Sequence, residues 1–201
     1  MSSGTESDAS AKIIAVVLEL LNTEGYEAVQ LRTVAAQAHV SLAKIYRLFH
    51  TRDELIIAAL HQWMDTNAYA DVAPPTPGES VRDSLNRLLR TIFEPWERNP
   101  KMLVAYHHAR TGPGGERLDS QGLAAVLPAA EVTLRGLDTG YLEDLGLIMG
   151  NMALALIGRF AAGTLPITEV LATLERTVYR LTADNAAASR REQAASPTTA
   201  P

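Results

Sequence analysis

Twenty-five consecutive residues, Ala28 to Arg52, contain no aspartate or glutamate, yet they carry Arg32, Lys44, Arg47 and Arg52 together with His39 and His50. Those four positive charges sit in a chain of net charge −5, so the remaining residues stand at −9. A basic island in an acidic protein is a local footprint of the kind phosphate binding needs, because lysine and arginine neutralise phosphates and release their counterions. By charge alone a solvated face explains it equally well. The residue pattern inside the island decides between the two.

Other residues suited to chemistry are few. With no cysteine, disulfides, thiol nucleophiles and thiolate metal sites are absent, which is the usage expected of a reducing cytoplasm. The opening Met-Ser-Ser-Gly-Thr-Glu-Ser-Asp lacks a positive n-region and an apolar h-region, so a cytoplasmic location is expected. His107 and His108 are adjacent; on a helix they point roughly 100° apart and make poor joint metal ligands. There is no His-Glu-x-x-His, Gly-x-Ser-x-Gly, Walker or Gly-x-Gly-x-x-Gly motif, and Gly112-Pro-Gly-Gly115 lacks a following Lys-Ser/Thr. No catalytic residue, metal site or cofactor is expected.

The elements that position the island can be read from periodicity. Asp8 or Ser10 caps a first helix with an apolar stripe at Ile14, Val17, Leu18 and Leu21, ended by Gly25. Leu31, Val34, Ala35 and Ala38 form a second stripe barely two turns long. His39-Val40-Ser41 makes a tight turn with Ser41 as N-cap. Ile45, Leu48 and Phe49 anchor a third short helix whose free face holds Leu42, Ala43, Lys44, Tyr46 and Arg47. Thr51-Arg-Asp-Glu54 is a capping box opening a fourth helix with Leu55, Ile56, Ala59, Leu60 and Trp63. Two short helices joined by a tight turn behind a longer one is the helix-turn-helix plan, which holds one helix out from the core to enter the major groove.

As a linked set, Gly25-Tyr26-Glu-Ala28-Val-Gln-Leu31-Arg32-Thr-Val34-Ala35, Ala38-His-Val40-Ser41 and Ile45-Tyr46-Arg47-Leu-Phe49-His-Thr51-Arg52-Asp-Glu-Leu55 resembles the DNA-binding domain of TetR-type repressors. The likeness is close over residues 10–60 and one of layout beyond. It implies an all-α chain: a three-helix DNA-binding domain, a divergent helical ligand-binding and dimerisation domain, a homodimer, and release from a palindromic operator when a small-molecule effector binds. The partners implied are double-stranded DNA, the effector and a second copy of the chain, with no membrane. Residues expected at DNA are Arg32, Thr33, Ser41, Leu42, Ala43, Lys44, Tyr46, Arg47 and Arg52. Of these, Arg32, Arg47 and Arg52 are expected on phosphate and Lys44 on guanine. The chain departs from the family pattern at Gln30 (usually Thr or Ser), Ala43 (usually Gly), Lys44 (usually small) and Arg52 (usually Lys).

Further along, Asp71–Glu79 reads as a loop, Pro95 as a kink in a helix running from Ser80 to Trp96, and helices follow near 102–110, 120–136, 140–162 and 166–184, with no strand pattern. The domain plan is a disordered tail at 1–9, the DNA-binding domain at 10–52, the ligand-binding and dimerisation domain at 53–184, and a disordered tail at 185–201. Leu145–Ala162 holds a single charge, Arg159. It reads as a soluble helix buried on all sides rather than a membrane span. Gly146, Gly150 and Ala153, with Leu171, Leu174 and Val178 on the next helix, are expected at a dimer interface; packing within one chain is the alternative. Trp63, Phe93, Trp96, Met102, Tyr106, Met149 and Met152 suit an apolar ligand, with His107 and Arg110 to orient it; plain core packing is the alternative for any one of them. Ala-Val-Gln-Leu-Arg at 28–32 and Arg-Asn-Pro at 98–100 are similar to segments of repressors of sterol and fatty-acid breakdown, which points to a large lipid-like acid or its thioester. The competing functions are a helical small-molecule-metabolising enzyme and a DNA-binding module without an effector.

Overall fold

A computed structural model describes residues 2–183. Among these residues every regular element is helical, as the all-α reading expects. The expected tail at 185–201 lies outside the described residues. Among the described residues two compact units are formed, one from residues up to 71 and 95–125, the other from 72–94 and from 126 onward.

The first unit begins with α1 (Ser2–Thr23), which opens eight residues ahead of the expected start at Ser10. An Asp8–Lys12 pair at 2.8 Å, one turn apart, supports that early segment. The buried stripe starts only at Ile13 and runs through Val17, Leu20 and Leu21. Gly25 takes φ +100, a region closed to most side chains, while its N–H reaches the Leu20 carbonyl at 2.9 Å. A 3₁₀ turn (Tyr26–Ala28) leads to α2 (Leu31–Gln37), α3 (Leu42–Leu48) and α4 (Arg52–Trp63). Gln30 opens α2 without a side-chain cap, its amide donating instead to the Glu27 carbonyl at 3.0 Å. Thr51 caps α4 by accepting from the Glu54 N–H at 3.0 Å, and Glu54 reaches back to the His50 N–H at 3.1 Å. Leu55, Ile56 and Leu60 of α4 are buried, and α4 packs against α1. Burial of each such side chain contributes roughly 1.5–3 kcal/mol. That packing is why α4 belongs with α1 to α3 rather than with the second unit.

α6 (Pro100–Thr111) completes this unit with the start of α7 (Glu116–Thr133) and the end of α5 (Val81–Arg98). Pro100 sits at the first position of α6, where its missing N–H costs nothing. Met102 and Leu103 are fully buried. The Lys101 ammonium donates to the Thr23 carbonyl at the end of α1, and the Tyr26 and His108 rings lie 5.2 Å apart.

The second unit holds most of α5, the end of α7, α8 (Thr139–Ala161) and α9 (Thr168–Thr182). Pro95 and Pro128 lie inside α5 and α7, each within three residues of a unit boundary. Arg87 clamps the loop before α5: it meets both Glu79 carboxylate oxygens at 2.9 and 3.2 Å and donates to the Ala73 and Pro74 carbonyls. That pairing, with the Thr76 N–H, holds the Glu79 carboxyl down at about 2. α5 is tied to α9 by Arg90–Glu175 at 2.5 Å and by Arg82 donating to Thr182 at 3.0 Å. Asp138 caps α8 through the Tyr141 N–H at 3.0 Å.

α8 corrects one expectation. It is long and apolar enough to cross a membrane by length and composition, but only 17% of its apolar window is buried. Within this chain it is not buried on all sides. Only Leu145, Leu156 and Ile157 of α8 are buried, and Leu147 and Ile148 stand exposed.

Candidate nucleic-acid interface

α3 is seven residues long and is held by one buried side chain, Ile45. A helix this short does not persist alone; the Ser41 cap and the turn before it define where it starts. Ser41 Oγ accepts from the Lys44 N–H at 3.1 Å. His39 takes φ 54, in the left-handed region, and the Val40 N–H bonds back to the Ala35 carbonyl at 3.0 Å. This turn reverses the chain between α2 and α3 and leaves the outer face of α3 free.

That face carries the residues expected from the sequence. Ala43 and Ser41 are exposed, Tyr46 is 50% exposed, and Arg47 projects. Leu42 and Lys44 are half-buried. On α2, Arg32 and Thr33 are exposed while Val34 and Ala35 turn inward. Two carboxylate contacts reach this surface from the start of α1: Glu6 Oε1 lies 3.8 Å from Lys44 Nζ and 3.6 Å from Arg47 Nη2. The sequence reading missed Glu6, because it left residues 1–9 out of the helix.

Arg52 has a different occupation from the expected one. Its Nε donates to the Val29 carbonyl and its Nη2 to the Tyr26 carbonyl, both at 2.6 Å, and its guanidinium lies 4.5 Å over the Tyr26 ring. The side chain staples α4 to the turn before α2 instead of standing free for phosphate. Burial, before any charge nearby, raises the pKa of Tyr26, whose hydroxyl reaches Asp53 at 3.5 Å.

The nine residues expected around a ligand divide between the two units. In the first, Trp63, Trp96 and Tyr106 are buried with ring centroids 4.3 and 5.4 Å apart along the series, and Met102 is fully buried. The Tyr106 hydroxyl donates to Asp119 at 3.2 Å, and Arg110 donates to the same oxygen at 2.7 Å. Burial raises the pKa of Tyr106, and that of neighbouring Tyr69 is pushed up to about 12. Burial lowers that of His107, with His108 and Arg110 adding to the effect. Phe93, Met149 and Met152 lie in the second unit, where Met152 accepts from Thr177 at 3.2 Å. Two clefts open on the first unit, and none of the nine lines either. One, of about 670 Å³, is bordered by His61, Asp65, Glu116, Arg117, Ser120 and Gln121; the other, about 330 Å³, by Phe49, Glu54, Ile57, His61 and Arg117. Most of these side chains are polar and come from α4, α7 and the turn after α4, where apolar periodicity singles out no site.

The expected dimer residues also separate. Around Gly146 and Gly150 of α8 a methyl group would meet nothing within 4 Å, and Ala153 is half-buried. Leu171, Leu174 and Val178, by contrast, are buried inside the second unit. Their stripe is the chain's own core, which periodicity alone cannot tell from an interface. The exposed aromatic of α9 is Tyr179, 60% exposed.

Residues 13–59 match the family described as bacterial regulatory proteins, tetR family, and residues 78–181 match the tetracyclin repressor-like C-terminal domain. A protein of Rhodococcus jostii named HTH-type transcriptional repressor KstR is 28% identical over 109 residues, 54% of this chain and 50% of that protein. An uncharacterized HTH-type transcriptional regulator of Mycobacterium bovis is 35% identical over 116 residues, 51% of this chain and 55% of that one. The chain thus spans about half the length of these curated relatives. A crystal structure of a TetR transcriptional regulator from Rhodococcus sp. RHA1 shares the fold, with a TM-score of 0.71 at 19% identity over 90% of this chain and 98% of that one.

Proposed function

This chain belongs to the TetR family of bacterial regulatory proteins, and on that premise we propose that it is a cytoplasmic transcriptional repressor that binds a palindromic operator as a homodimer and leaves it when a lipid-like effector binds. The observation that carries the DNA reading is the free face of α3. A capped, singly anchored helix carries Lys44, Tyr46 and Arg47, the last two exposed, with no carboxylate of its own between Ala28 and Arg52. Phosphate contacts from Arg32 and Arg47 set register, and Lys44 reads a base edge, guanine O6 and N7 being the commonest target.

Homodimerisation is supported by α8, whose glycines face open space beside exposed Leu147 and Ile148. A contiguous exposed apolar face marks an interaction surface. Two heads then meet half-sites about one helical turn apart or a multiple of it. The effector acts by favouring a conformation whose heads no longer match that spacing, so effector and operator weaken each other by the same factor.

The test is selection of duplexes bound by the full chain from a random pool, followed by titration of long-chain acids and their thioesters with and without the selected duplex. A palindrome and reciprocal weakening are expected. No enrichment of any duplex overturns the repressor reading. Equal ligand affinity with and without DNA leaves a DNA-binding module without induction, and turnover of the ligand favours the enzyme.

A further inference from the structure

Resting on the proposed DNA-binding role, we propose that Glu6 is a built-in brake: in the free protein its carboxylate occupies the place that DNA takes at α3, a phosphate at Arg47 and a base edge at Lys44. Both cations of α3 lie within 4 Å of this one group, at 3.8 and 3.6 Å. Lys44 is the less open of the two, its side chain 19% exposed against 63% for Arg47. Among the described residues no other acidic side chain pairs with either cation, and the island itself contains none.

The segment that holds Glu6 is suited to letting go. Between Glu6 and Lys12 no residue of α1 is buried, and residues 6–8, 11 and 12 are exposed. Its first turns can fray without disturbing the core stripe, since ends with few buried contacts open at little cost. Glu6 itself is 47% exposed, so the pair is weak and reversible. A phosphate, carrying a full charge within a dense array of like charges, displaces it; the freed carboxylate then repels the duplex unless α1 swings aside. The brake therefore taxes every sequence by the same factor, so it sets how tightly the head grips any duplex and not which duplex it prefers.

The experiment compares the full-length wild type with Glu6→Gln and Asp8→Asn by fluorescence anisotropy, using the selected palindrome and a scrambled duplex. Asp8 pairs with Lys12 at 2.8 Å and touches neither α3 cation, so its substitution removes the same charge without the contact. At about 50 mM salt Glu6→Gln is expected to bind roughly threefold more tightly per head, the scale of an exposed ion pair, hence about tenfold for two heads. The gain is expected to shrink as salt rises, since exposed ion pairs are screened, and to be the same on both duplexes. Asp8→Asn is expected to change binding less than twofold. Unchanged melting temperatures show that all three proteins are folded. Equal binding by Glu6→Gln and wild type overturns the brake while leaving the DNA reading intact, and so does an equal gain from Asp8→Asn. No binding of any duplex by any of the three overturns both.

Discussion

The outward faces of α3 and α8 are two solutions to the problem of presenting a helix to something other than its own core. α3 is seven residues long, is anchored by Ile45 alone, and shows charge and hydroxyl. α8 is twenty-three residues long, buries Leu145, Leu156 and Ile157, and shows Leu147, Ile148 and two glycines with open space above them. The first face suits a polyanion, whose attraction acts at a distance and fades with salt. The second suits a copy of itself, through contact alone. A short helix is adequate where electrostatics supply the reach; a long one is needed where only buried area does.

The sharpest separation of the two faces is by salt. With Arg32, Lys44 and Arg47 from each of two heads at the duplex, operator affinity is expected to fall about 10³-fold between 50 and 200 mM salt. Dimerisation, measured by sedimentation over the same range, is expected to stay constant or tighten. A dimer that dissociates as salt rises would make the α8 interface polar and end the contrast.

Next in size is Gly150→Leu. Because nothing lies within 4 Å of a side chain there, the protomer is expected to fold and the dimer to fail. Loss of the second head then removes about 10²–10⁴ of operator affinity, the usual gain from linked binding. Sedimentation and anisotropy on the same sample decide it; a normal dimer moves the interface off Gly150.

Lys44→Ala is expected to relax preference at one base step in each half-site, at about 1–3 kcal/mol. Reselection of the operator by the variant reads this directly. A loss spread evenly over all sequences would make Lys44 a phosphate contact.

The smallest effect separates two arginines five residues apart. Arg47→Ala is expected to lower the salt slope by roughly one unit per head with little change in melting. Arg52→Ala removes the donors to the Val29 and Tyr26 carbonyls and is expected to cost about 1–3 kcal/mol in urea unfolding while leaving the slope alone. A flattened slope for Arg52→Ala would return that residue to the DNA.

The two arginines also show what a sequence carries and what it does not. Ser41, Thr51, the tight turn and the stripes of α1 and α4 are local, and residue spacing reports them because the groups that satisfy one another are three or four positions apart. Arg52 finds its partners 23 and 26 residues away, so charge alone cannot assign it. Leu171, Leu174 and Val178, buried within the chain, show a related limit: a stripe states that a face is covered, not by what. Glu6 was missed because the buried pattern of α1 begins at Ile13, and a polar helix end leaves no periodic trace.

The first unit is assembled from two stretches of chain, residues 1–71 and 95–125, and this sets the order in which it can be finished. Trp63 rests on Trp96, Tyr26 on His108, and the end of α1 on Lys101. During synthesis the four helices of the DNA-binding head emerge first but lack these neighbours until α6 and the start of α7 have been made. At about 5–20 residues per second that wait lasts roughly 3–10 seconds. Over that interval Trp63 and the surface around it are open to water and to chaperones. The head is thus first in sequence and late in completion, and a fragment ending at residue 71 would keep the exposed state as its resting one.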